Sequence, residues 1–103
     1  MLNAPESGRM FLVKTSPENL ALKHAFNAEM SQRTKKVRET SNRTAAEVAE
    51  HLRVKPNTYY KYENSVAMPV YLIPRFLVFT SGNPAYLMGF SKSPHKADLH
   101  TVD

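Results

Sequence analysis

Residues 44–64, TAAEVAEHLRVKPNTYYKYEN, read as two short helices joined by a tight turn. The Thr44 hydroxyl is placed to cap the first helix, and Glu47, three residues on, completes a capping box. Val48, Ala49 and Leu52 make an i, i+1, i+4 apolar stripe, the inner face of that helix. Arg53-Val54-Lys55 is the turn, with Val54 pointing back to the core. Pro56 opens the second helix, because a first helical position has no use for an N–H. Tyr59 and Tyr62, three apart, fall on its inner side, and Pro56, Asn57, Tyr60, Lys61 and Asn64 are left to face outward. Ala49 lies where the two helices cross, and a larger side chain would hold them apart. The order and spacing describe a helix-turn-helix, a layout that presents its second helix to a groove.

Outward from this unit the pattern stays helical. Ser16-Pro17-Glu18-Asn19 is a helix start, with Ser16 as cap and Pro17 in the first turn. Helical pattern continues through Leu20, Leu22, Ala25 and Phe26 to about Thr40, unbroken or restarting near Asn27. Met30, Thr34 and Val37 form the inner face of its later half. Ser41-Asn42-Arg43 is the loop into Thr44. Beyond Asn64, Val70 to Thr80 is a continuous apolar run, which either a strand or a buried helix could supply. Pro74 would damage an interior strand and is tolerated near a helix start, so a helix is expected. Ser81-Gly82 ends it. Asn83-Pro84 caps a last short helix carrying Ala85, Tyr86, Leu87 and Met88, stopped by Gly89. The expected architecture is an all-α compact bundle of about five helices containing a helix-turn-helix. Its parts are a flexible leader or arm over 1–15, a domain over 16–90 with its motif at 44–64, and a flexible tail over 91–103.

Charge is concentrated on the same unit. Of 14 Lys and Arg against 9 Asp and Glu, the stretch from Arg33 to Lys61 holds 8 basic and 3 acidic residues. It therefore carries the whole net charge of +5. A basic surface built around one structural unit calls for a polyanionic partner. At 103 residues there is room for one domain with a single small core. The absence of Cys excludes a disulfide scaffold and a cysteine zinc site, and fits a cytoplasmic setting. No apolar run approaches a membrane span, and Met10-Phe-Leu-Val13 is too short for a secretory core.

With these residues placed, the chain resembles the lambda-repressor-like, or Cro/C1-type (XRE), helix-turn-helix DNA-binding domain, over roughly Met30 to Gly89. The resemblance is carried by Arg38, Thr44, Val48, Ala49, Leu52 and Val54, by Pro56-Asn57-Thr58 and Tyr62-Glu63-Asn64, and by Asn83 to Gly89. Leu72-Ile73-Pro74-Arg75-Phe76 is similar to a tract of phage and prophage-borne members. The resemblance implies a dimeric regulator, a repressor, on a palindromic double-stranded DNA operator. Family base-reading positions fall on Pro56, Asn57, Tyr60 and Lys61. Backbone-contacting roles fall on Arg43, Thr44, Arg53, Lys55 and Asn64, and the family's ion pair on Arg38 and Glu63. Three departures stand out. Ala45 replaces a frequent Gln, Arg53 occupies a turn position that is usually Gly, and Pro56 has no hydrogen bond to offer a base.

Competing readings are weaker. The tyrosines could form a stacking platform for single strands, but Tyr59 and Tyr62 at helical spacing are core. His24, His51, His95 and His100 lack metal-ligand spacing, and His51 is expected to face solvent. No nucleophile–base pair, phosphate loop or paired carboxylate is present, so neither an enzyme nor a cofactor is expected. The alternative of a different class is a protein-interaction module, such as the DNA-binding antitoxin of a toxin–antitoxin pair. There, residues 1–27 or the tail would hold a protein partner.

Overall fold

The computed structural model describes residues 16–95. The expected leader, with Met10–Val13, and the chain beyond 95 lie outside the described residues. Five α-helices and one 3₁₀ turn account for the described architecture: α1 (Pro17–Thr40), α2 (Ala45–Leu52), α3 (Pro56–Asn64), the turn Val70–Leu72, α4 (Ile73–Thr80) and α5 (Pro84–Leu87). The fold is an all-α bundle.

Ser16 caps α1 by accepting from the Asn19 amide at 3.0 Å, and Pro17 sits in the first turn. The helix then runs unbroken for 24 residues, about 36 Å at 1.5 Å per residue. Its two halves differ. Met30, Ser31, Thr34 and Val37 are buried, whereas every residue from Pro17 to Phe26 is exposed. α1 packs on α3 and α5, and α2 packs on α3 and α4. Between them lies one core: Met30, Val37, Val48, Ala49, Leu52, Tyr59, Tyr62, Met68, Leu72, Phe76 and Leu87. Burial of this set is the main favourable term in folding, at about 25 cal/mol per Å² of apolar surface removed from water.

The apolar run resolves as expected from Pro74. Val70–Leu72 winds as a single 3₁₀ turn, and α4 begins at Ile73 with Pro74 in its first turn. The end of α4 differs in detail from the usual assignment of the left-handed residue to glycine. Ser81 takes that conformation (φ 58°), and Gly82 is needed for another reason. A Cβ on Gly82 would stand 2.8 Å from side-chain carbons of both Leu77 and Val37. The missing side chain is what lets this loop close on α1.

Residues 91–95 do not belong to a loose tail. The Asn83 amide donates to the Pro94 carbonyl at 2.8 Å, the Asn83 side-chain NH₂ donates to the Ser93 carbonyl at 3.0 Å, and Gly82 and His95 form an isolated bridge. His95 Nδ1 donates to the Ser81 carbonyl at 2.8 Å, since a carbonyl can only accept. Its Nε2 lies 2.6 Å from the Thr40 hydroxyl, tying this segment to the end of α1. The ordered unit therefore reaches five residues past the boundary expected at 90.

One buried group is not satisfied among the described residues. The Thr34 hydroxyl, on the wholly buried side of α1, has no hydrogen-bond partner. Leaving a buried hydroxyl unpaired costs roughly 1–3 kcal/mol, and valine has nearly the same shape without it. Thr34→Val is therefore expected to stabilise the fold by about 1 kcal/mol. Urea denaturation reads this directly, and an unchanged or lowered midpoint would show that the hydroxyl is paired in solution.

Candidate nucleic-acid interface

Two residues close the entry to α2 reciprocally. The Glu47 amide donates to Thr44 Oγ1 at 3.1 Å, and the Thr44 amide donates to Glu47 Oε1 at 2.8 Å, closing the capping box. The amides of Ala45 and Ala46 have no acceptor among the described residues. Two N–H groups thus remain at the positive end of the helix dipole, Ala46 exposed and Ala45 half-buried.

Arg53 ends α2 in the left-handed region, at φ 61° and ψ 42°. The Val54 amide donates to the Ala49 carbonyl at 3.0 Å, and Val54 packs against the core. A left-handed residue with a Cβ costs roughly 1–2 kcal/mol, part of which glycine would give back in unfolded-state entropy. Arg53→Gly is therefore expected to raise stability by about 0.5–1 kcal/mol. Paired thermal melting curves of the two proteins check this, and a lower midpoint for the glycine variant would refute it.

Three buried residues seat α3. Tyr59 is fully enclosed, Tyr62 meets it edge-on with ring centres 6.0 Å apart, and Glu63 is 8 % exposed. The Tyr59 hydroxyl donates to Glu63 Oε2. Arg38 of α1 reaches the same carboxylate with two bonds, Nε to Oε2 at 2.6 Å and Nη2 to Oε1 at 3.1 Å. Its remaining Nη1 donates to the Arg43 carbonyl at 3.0 Å. One guanidinium therefore ties together α1, α3 and the loop that leads into α2. The hydrogen bond to Glu63 raises the Arg38 pKa above its ordinary value. Burial pushes the Tyr59 hydroxyl well above the phenol range, and its bond to Glu63 adds to the effect, so it stays a neutral donor.

The opposite side of α3 is open. Pro56, Asn57, Tyr60 and Lys61 are all exposed, Tyr60 at 63 %. No side-chain hydrogen bond or ion pair among the described residues engages Asn57, Tyr60 or Lys61. Asn64 is exposed as well, its side-chain NH₂ donating to the Tyr60 carbonyl of its own helix at 2.7 Å. Lys35 and Lys36 of α1 line a groove of about 470 Å³ together with Asn64, which brings the basic flank of α1 beside the end of α3. Arg53 and Lys55 are exposed at the turn.

Arg43 has a partner that spacing did not indicate. Its guanidinium carbon lies 4.1 Å from the centre of the Phe79 ring, and the His51 ring stacks on Phe79 with centroids 4.1 Å apart. His51 is exposed, as expected, but one face of its ring is covered. A cation over an aromatic face keeps its N–H edges free, so Arg43 is held in place without being used up. The Tyr59–Glu63 bond was also missed, although their four-residue spacing on a helix is a signal that could have found it.

Among the described residues no helix is long and apolar enough to cross a membrane. No family model, curated protein or solved structure matches this chain.

Proposed function

We propose that the chain is a sequence-specific double-stranded DNA-binding regulator that reads the major groove with the outer face of α3. The observation that carries this reading is the division of α3 into two faces. Tyr59, Tyr62 and Glu63 are buried and tethered by Arg38, while Asn57, Tyr60 and Lys61 stand free on the other side. A helix with its back fixed and its front unpartnered, inside the stretch that holds all of the net positive charge, suits a duplex. Asn57 can pair with adenine N6 and N7, and Lys61, one turn on, can donate to guanine or reach a phosphate. Tyr60 adds an aromatic face for a thymine methyl. The amides of Ala45 and Ala46 suit a phosphate oxygen, which compensates for Ala45 where the family's glutamine would have donated. Two copies on an inverted repeat, with their α3 helices about 34 Å apart, would give the selectivity that one short helix lacks. Occupying an operator, such a protein acts as a repressor.

The test is selection of sites from a random duplex library, followed by binding to the best site at several salt concentrations. The expected result is an enriched inverted repeat, with affinity falling steeply with salt as phosphate contacts release counterions. Recovery of no common sequence, with equal affinity for every duplex, would reduce the site to a generic basic surface.

A further inference from the structure

The outer side of α4 carries apolar residues that the core does not use. Phe76 and Thr80 are buried, while Pro74 and Val78, four residues apart, share the far side, with Val78 80 % exposed. Together with Ile73 and Leu77 they line a groove of about 1,100 Å³. Arg43, from the loop after α1, and His95 line it too, and no acidic side chain does. Both ring nitrogens of His95 are taken, by the Ser81 carbonyl and the Thr40 hydroxyl. Arg43 is therefore the cation left to meet a ligand. Among the described residues it makes no ion pair, and its guanidinium is steadied over Phe79 with the N–H edges open. An apolar concavity of several hundred cubic ångströms with a few placed polar groups is the ordinary form of a small-molecule site.

We propose that this groove binds an amphipathic organic anion, its apolar body along Pro74, Leu77 and Val78 and its carboxylate on Arg43. Charge complementarity selects the occupant. A cationic ligand meets no acidic side chain here, and a neutral apolar one leaves the guanidinium unused. A carboxylate accepts two parallel N–H bonds from a guanidinium, the strong form of this contact. The same edges are the ones assigned above to a DNA phosphate, so ligand and duplex compete for Arg43. The groove is then an effector site. The bound anion lowers affinity for DNA, and by linkage the duplex lowers affinity for the anion. That consequence rests on the DNA-binding reading; the binding of the anion does not.

The test is calorimetric titration of decanoate into the full chain, below the range in which it forms micelles. Decylammonium, the same apolar body with the opposite charge, is the control. The expected result is saturable binding of decanoate to one site, with a dissociation constant under about 1 mM, and at least tenfold weaker binding of decylammonium. Arg43→Gln and Val78→Asp should each weaken decanoate at least tenfold. Val70→Asp, on an equally exposed valine outside the groove, should leave it unchanged. Absence of saturation, equal affinity for the two probes, or indifference to both groove variants would overturn the proposal. A tenfold gain in decanoate affinity in Asp98→Asn/Leu99→Ser would assign the groove to the chain's own residues 96–103 and overturn it too. Mobility shifts on the selected duplex read the consequence separately. Saturating decanoate should weaken DNA binding by roughly fivefold or more relative to equimolar chloride, and should have no effect on Arg43→Gln. Calorimetry contains no DNA, so its outcome stands whether or not the chain selects a sequence.

Discussion

Glu63→Ala should lower folding stability by about 3 kcal/mol, and Arg38→Met by about 3–5 kcal/mol, figures that apply when one member of a buried ion pair is removed. The side chains are 15 % and 5 % exposed for Arg38 and Glu63, far from the solvated pairs that contribute less than about 1 kcal/mol. The asymmetry follows from what each loss leaves behind. Without Glu63, Arg38 keeps its bond to the Arg43 carbonyl and can lean toward water. Without Arg38, a carboxylate remains buried with only the Tyr59 hydroxyl to satisfy it. In a domain this small, where about 1 kcal/mol moves the melting temperature by roughly 4–8 °C, Glu63→Ala should fall by more than ten degrees. Calorimetry measures it. A melting temperature within two degrees of the parent would mean that the pair is open to solvent.

The second large effect is on readout. Asn57→Ala is expected to relax the preference at one base pair, costing about 1–3 kcal/mol on the best site and little on random DNA. Arg43→Ala is expected to weaken all duplexes alike and to flatten the dependence of log K on log salt by about one unit. It should also lose the contact with Phe79, worth about 0.5–1 kcal/mol of stability at an exposed site. The two variants together separate base reading from backbone contact. Repeating the library selection with Asn57→Ala is the decisive measurement: an unchanged consensus would remove α3 from the reading role.

Local features were the legible ones. Capping at Ser16 and Thr44, the inner faces of α1, α2 and α3, and the helical outcome at Pro74 all follow from residues within a turn or two of each other. The left-handed conformation at Arg53 was indicated only by the family resemblance, in which that turn position is usually Gly. Arg38 and Glu63 are different. They lie 25 residues apart on separate helices, and only the family resemblance joined them. Nothing local announced that His95 would reach Ser81 and Thr40, since those bonds go to a carbonyl and a hydroxyl that any loop could offer. Phe79 was read only as part of an apolar run, and which cation would lie on its ring depends on how α4 packs against α2.

The alternation of supporting and free residues along α3 bears on how such a protein can change its preferences over time. Positions 59, 62 and 63 answer to the interior and positions 56, 57, 60 and 61 do not, so the two sets can vary independently. A lineage can rewrite the second set one residue at a time and never pass through an unfolded intermediate. If α3 reads DNA as proposed, gene duplicates could then part company in the sites they recognise while keeping one scaffold, and a laboratory library confined to those four positions should yield folded members at nearly every draw.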